Sequence, residues 1–162
     1  MKRHFTTTYG EFENTLELNK IQSNLLEEAF KACTNAYAPY SNFKVGAAVL
    51  LENNKIITGF NQENASYPCG ICAERVALYS SAAQFPSSKI ISIAICCYTF
   101  NLSENPSAPC GICRQVLKEF ESHNHSQIEI IIGHPKSKIL IFDSCSALLP
   151  FGFDKINLKH NL

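Results

Sequence analysis

The sequence carries no excess charge of either sign: Lys and Arg together number 14, as do Asp and Glu, for a formal net charge of zero. That balance excludes the single-signed field that draws in nucleic-acid phosphates, and it suits a small neutral molecule better than a polynucleotide. Long apolar runs are also missing. None approaches the roughly 18 residues of a membrane-spanning helix, and the opening Met1-Lys2-Arg3-His4-Phe5-Thr6-Thr7-Thr8 is basic without the apolar core of a secretory signal. The expectation is a soluble, cytoplasmic protein that engages neither a membrane nor a nucleic-acid polymer. No internal repeat and no linker divides the chain. With 162 residues, 46% of them hydrophobic, it has enough apolar material for one compact core and not comfortably enough for two. Residues 1–14, polar and without a sustained period, read as a flexible N-terminal arm ahead of a single domain over 15–162.

Apolar residues recur at Ile21, Leu25, Ala29, Ala32 and Ala36, a spacing that predicts an amphipathic helix between about Thr15 and Tyr37. Ala38-Pro39-Tyr40-Ser41 breaks it. Two β-rich runs, Phe43 to Leu51 and Lys55 to Phe60, are joined by Glu52-Asn53-Asn54 and read as a hairpin. A helix is expected from near Cys72 to Gln84, then a strand buried on both faces from Ile90 to Cys97. After a loop from Asn101 to Pro109, a further helix opens at Cys110 and runs through Phe120. Strands follow at Ile128–Ile132 and Ile139–Phe142, then a helical turn near Ser144–Leu149. Strands alternating with helices predict a three-layer α/β/α domain around one mixed sheet of about five strands.

Eight cysteines in a chain without a secretory signal are poorly explained by disulfides, because cytosolic thiols are kept reduced. Cys33, Cys96, Cys97 and Cys145 lie in apolar surroundings and read as small core residues. The rest cluster around two helix starts, Cys69-Gly70-Ile71-Cys72-Ala73-Glu74 and Pro109-Cys110-Gly111-Ile112-Cys113. Cys110 and Cys113, three apart on an opening helical turn, can point the same way, and Cys72 can supply a third sulfur for zinc. Three protein ligands leave a fourth position for water, the mark of a catalytic zinc. Three thiolates and one Zn2+ sum to a net negative charge, which two helix N-termini and the neighbouring Arg75 and Arg114 are placed to offset, the arginines by hydrogen bonds to sulfur. Glu74, two residues past a ligand, can reach the water and move protons. The rival reading joins Cys69 and Cys72 with Cys110 and Cys113 in a structural four-sulfur zinc site. The stretch between Cys72 and Cys110 is about twice the roughly 15–20 residues of zinc ribbons, and that reading leaves Glu74 unexplained. A redox C-x-x-C lacks the preceding βαβ context of a thioredoxin-like site.

These residues resemble the small homo-oligomeric cytidine deaminases of pyrimidine salvage, over about Ala36 to Phe153. The likeness rests on Ala38-Pro39-Tyr40-Ser41 with Phe43-Lys44-Val45-Gly46-Ala47-Ala48, on Asn61-Gln62-Glu63-Asn64-Ala65-Ser66-Tyr67, on Cys72-Ala73-Glu74-Arg75, on Pro109-Cys110-Gly111-Ile112-Cys113-Arg114-Gln115, and on Leu148-Leu149-Pro150 with Phe153. The resemblance implies hydrolytic deamination of cytidine and deoxycytidine, with one Zn2+ per chain on Cys72, Cys110 and Cys113. It makes Glu74 the proton carrier. It further implies that Asn61 and Glu63 hold the ribose and that Phe43 flanks the pyrimidine. Ala65 and Tyr67 would serve the 5′ side of another protomer's nucleoside, and Phe153 would stack from a third, in a homotetramer. Gln62 and Cys69 depart from the family's usual residues. A deaminase of a modified cytosine nucleoside such as blasticidin S shares the cysteine and glutamate motifs; the stretch Asn61 to Tyr67 favours cytidine.

Overall fold

The computed structural model describes residues 1–98 and 106–158; part of the loop expected from Asn101 and the last residues of the expected domain lie outside them. Among the described residues three α-helices, α1 (Lys20–Cys33), α2 (Ala73–Gln84) and α3 (Gly111–Asn124), flank one sheet. Its strands are β1 (Gly10–Phe12), β2 (Lys44–Leu51), β3 (Ile56–Phe60), β4 (Ile90–Tyr98), β5 (Glu129–Gly133) and β6 (Ile139–Phe142), in the order β1-β6-β5-β4-β2-β3. β4 and β5 run parallel and every other neighbouring pair antiparallel. The expected mixed sheet and the α/β/α layering are both present.

The sheet has six strands where about five were expected. The additional one comes from the segment read as an arm: Gly10, Glu11 and Phe12 pair with Ile141, Leu140 and Ile139, and Lys138 binds Glu11 at 2.7 Å. Three residues with polar neighbours show no strand period of their own, and the open edge of β6 supplies what they lack. α1 starts later than the apolar stripe suggests. Asn19 caps it, its Oδ1 accepting from Ile21 N and Gln22 N at 2.9 and 3.0 Å, while Gln22 Oε1 accepts from Asn19 N. Ile21, two residues past the cap, is 63% exposed, and the buried face runs through Leu25, Leu26, Ala29, Ala32 and Cys33.

The pleat divides the core in two. Ala47, Val49, Leu51, Ile93, Ile95, Ile130 and Ile132 pack with Ala73, Ala77 and Leu78 of α2 and Leu117 of α3. Ala48, Ala94, Cys96, Ile131 and Ile139 pack against Leu25, Leu26, Ala29 and Cys33 of α1 on the other face. Cys33, Cys96 and Cys145 are buried as expected, and Cys97, near the end of β4, is half-buried.

Glycine lets α2 lie close on the sheet. A Cβ added at Gly59 would stand 2.5 Å from Ala77 N and 2.6 Å from Ala73 O, inside any real contact distance and against backbone that cannot swing away. Gly59→Ala must therefore push the first turns of α2 outward, at a cost of about 1–3 kcal/mol. The expected outcome is a lowered Tm together with a lowered metal content in the purified variant, because Cys72 rides on the displaced helix start.

Candidate active site

Two helix N-termini meet at one point of this architecture. Cys72 is the residue before α2 and Cys110 the residue before α3; both have extended backbones, and neither sulfur is spent capping its own helix. Cys113 sits on the first turn of α3, fully buried. The three Sγ atoms lie within 4.8 Å of one another, Cys110 and Cys113 at 3.5 Å. Sulfurs about 2.3 Å from a tetrahedral zinc stand roughly 3.8 Å apart, so this set fits zinc with one position left over. Among the described residues this is the one group gathered closely enough to hold a metal, and Cys69, exposed on the short helical turn Tyr67–Cys69, is outside it.

Electrostatics favour negative charge at this point. The Cys72 thiol is drawn down to about 5, chiefly by its hydrogen bond with Cys113 and next by Arg75, whose Nη2 lies 3.8 Å from Cys72 Sγ. Cys113 is pushed upward, because it donates to the Cys72 thiolate and is buried. In the metal-free cluster the charge therefore resides first on Cys72. Arg75 Nε is buried without a partner, a further sign of a site built around an added group. Glu74 is 4% exposed, and burial, followed by the charge of Cys72, holds its carboxyl above the ordinary range.

Arg114 corrects an expectation. It does not reach sulfur: Nε donates to the Pro109 carbonyl at 2.7 Å and Nη1 to the Leu148 carbonyl at 2.8 Å. The fold brings the Leu148 carbonyl beside α3, and Arg114 is spent joining it to the Pro109 carbonyl.

The stretch Asn61 to Glu63 is tied directly to the segment that leads into Cys72. Gln62 and Ile71 exchange two backbone hydrogen bonds, both 2.9 Å. The Asn61 side chain bridges backbone, Oδ1 accepting from Val45 N at 2.8 Å and Nδ2 donating to Phe43 O at 2.9 Å. Glu63 gathers the turn before β2: its carboxylate accepts from Tyr40 N at 2.9 Å, from Ser41 N at 3.2 Å and from the Ser41 hydroxyl. Those bonds, the hydroxyl's first, hold the Glu63 carboxyl below its ordinary value. Phe43, 40% exposed, is thereby set at the mouth of β2. Ala65 and Tyr67 are exposed, Tyr67 to 91%. Phe153 is likewise exposed, its carbonyl held by Gln115 Nε2 at 2.9 Å.

One buried group escaped the sequence reading. Glu121, on α3, accepts from Ile128 N and Cys145 N through Oε1, at 3.0 and 2.9 Å, and from Ser144 Oγ through Oε2 at 3.1 Å. Its position resembles that of any surface glutamate late in a helix, and no local signal separates it from one.

Fold and site together define an α/β protein with a three-sulfur metal centre at paired helix N-termini and a buried carboxyl beside it. The model of the cytidine and deoxycytidylate deaminase zinc-binding region matches residues 19–126, and the chain belongs to that family. It is 43% identical over 136 residues to the cytidine deaminase of Sporosarcina psychrophila, covering 84% of this chain and 93% of that one. Against the cytidine deaminase of Halalkalibacterium halodurans it is 44% identical over 71 residues, which cover 44% of this chain and 53% of that one. The crystal structure of cytidine deaminase from Burkholderia pseudomallei superposes with a TM-score of 0.69 at 39% identity, covering 80% of this chain and 97% of that one. No described helix is long and apolar enough to cross a membrane.

Proposed function

We propose that this protein hydrolyses cytidine and deoxycytidine to uridine and deoxyuridine, releasing ammonia. The observation that carries the reading is the convergence of Cys72, Cys110 and Cys113 within 4.8 Å beside the buried Glu74. Bound to these sulfurs, Zn2+ supplies a Lewis acid and a water whose pKa is lowered to near 7. Glu74 accepts the proton of the attacking water and passes it to N3 of the pyrimidine. It then carries the second proton from the C4 hydroxyl to the amine, which leaves as ammonia. Burial suits it to this task, because a carboxyl raised above its ordinary range takes a proton from water more readily than a solvated one. Arg75 steadies the Cys72 thiolate through its hydrogen bond.

Substrate recognition follows from the segment next to the metal site. An amide nitrogen has two hydrogens and a carboxylate about four acceptor positions. The bonds already made by Asn61 and Glu63 thus leave one donor on Asn61 and one acceptor on Glu63 for ribose hydroxyls. Phe43 lies along the base. The exposure of Tyr67, Phe153 and Ala65 supports a homotetramer in which these residues complete a neighbour's site, Ala65 and Tyr67 on its 5′ side and Phe153 against the base. None of the eight cysteines is joined in a disulfide, which is in keeping with the reducing cytoplasm we propose for it.

The test is zinc content and loss of cytidine ultraviolet absorbance on one purified sample, with a chelator-treated control. About one zinc per chain and chelator-sensitive conversion are expected; zinc without turnover on cytidine or deoxycytidine would sink the reading. Cys69→Ser is expected to keep both metal and turnover, since Cys69 stands outside the sulfur cluster. Metal loss in that variant would instead point to four-sulfur binding.

A further inference from the structure

Two adjacent side chains near the start of α3 have no place in the deamination chemistry, yet both reach a stretch of chain 30 or more residues away. Arg114 joins the carbonyl of Pro109, the residue before Cys110, to the carbonyl of Leu148, at 2.7 and 2.8 Å. Gln115 Nε2 donates to the carbonyl of Phe153 at 2.9 Å. A third link runs the other way, Cys145 Sγ donating to the Arg114 carbonyl at 3.0 Å. Further along α3, Ser122 Oγ donates to Asp154 Oδ2 at 2.7 Å and Lys118 Nζ lies 3.4 Å from the same oxygen. Residues 145–154 are therefore strapped along α3, with the strap's two backbone anchors on consecutive residues immediately after Cys113.

We infer that Arg114 and Gln115 are paired positioning residues that hold the Cys110–Cys113 turn and the Phe153 segment as one body, so that metal loading and the placement of Phe153 are coupled. Arg114 fixes the turn, because it follows Cys113 directly and its Nε holds the carbonyl just before Cys110, while Nη1 ties that turn to Leu148. Gln115 fixes how far along α3 the Phe153 ring is held. Phe153 is 56% exposed, and the carbonyl bond of Gln115 ties its backbone to α3. The role given to Phe153 rests on the proposed function; the coupling between metal and strap does not.

The experiment has a metal arm, an exchange arm and a kinetic arm. Zinc release from the loaded wild-type protein and from Arg114→Gln is followed with a chromogenic chelator, and the variant is expected to hold metal about 10- to 100-fold more weakly, the usual cost of losing a group that orients ligands. Arg114→Lys, which keeps the charge and can serve one carbonyl, is expected to fall between the two, and it stands in should Arg114→Gln fail to fold. Hydrogen exchange at residues 148–153 is expected to quicken when zinc is stripped from the wild type, and to be fast with or without zinc in the arginine variant. Gln115→Leu is expected to release zinc at the wild-type rate while raising KM for cytidine several-fold with kcat kept, a split that general destabilisation does not give. Wild-type zinc release from the arginine variants, or exchange at 148–153 that ignores the metal, overturns the coupling. A change of kcat rather than KM in Gln115→Leu overturns the role of Gln115. If the wild type binds zinc but does not turn over cytidine, the proposed function fails while release and exchange still decide the coupling.

Discussion

Glu74→Gln should keep its zinc and lose about 10² to 10⁴ in kcat, the share ordinarily supplied by a positioned proton carrier. Glutamine matches glutamate in shape and keeps the first turn of α2 packed, so the sulfur cluster has no reason to move. It removes only the capacity to take a proton from water and return it to N3 and to the amine. KM should change little, because the ribose contacts assigned to Asn61 and Glu63 lie on a different segment. Stability supplies a second readout with a definite sign. Burial raises the Glu74 carboxyl above its ordinary value, so whatever the protonated form contributes to the metal-free fold is present at low pH and is lost as pH rises through the raised value. Chelator-treated Glu74→Gln should therefore be at least as stable as the chelator-treated wild type at neutral pH and should lack that acid-side gain. Equilibrium unfolding at two pH values, with metal content and single-substrate kinetics on the same sample, checks all of this. Turnover near the wild-type level would remove Glu74 from its role.

Glu121→Leu is expected to be strongly destabilising although it lies outside the metal site. Its carboxylate is the partner of two buried backbone amides, Ile128 N and Cys145 N, and of the Ser144 hydroxyl. Each buried donor left unmade costs about 1–3 kcal/mol, and a leucine of similar volume keeps water from replacing the lost acceptor. The sum is about 3 kcal/mol or more, which in a domain of this size lowers Tm by roughly 6–12 °C. Glu121→Gln, which retains one acceptor oxygen, should lose appreciably less. Thermal unfolding of the two variants beside the wild type measures the difference. Equal Tm values for wild type and Glu121→Leu would show that the Cys145 turn is held by its packing rather than by this carboxylate. The same turn carries the Leu148 carbonyl that Arg114 grips, so Glu121→Leu should also loosen the strap along α3.

The sites where sequence and structure agree, and those where they part, follow a physical division. Cys110 and Cys113 face together because residues three apart on a helical turn share a face, a local property that spacing alone displays. Cys33, Cys96 and Cys145 went to the core because small apolar thiols in apolar runs have nowhere better to be. The strands from Lys44 to Leu51 and from Ile90 to Tyr98 were legible for the same reason, their apolar patterns being continuous. Arg114 was misjudged because nearness in sequence to a thiolate says nothing of the carbonyl at Leu148, which the fold brings alongside. β1 was missed because Gly10–Phe12 has no strand character of its own; only the unpaired edge of β6 makes it a strand.

By itself, then, the sequence determined the α/β alternation, the donor set of three cysteines and the acid beside them, because helical and extended periods and the chemistry of thiolate and carboxylate are written residue by residue. Only the tertiary structure decided that Glu121 is buried and that Arg114 binds carbonyls. Each of these depends on which distant backbone arrives beside the residue, and that is set by the packing of α2 and α3 on the sheet rather than by any neighbour in the chain.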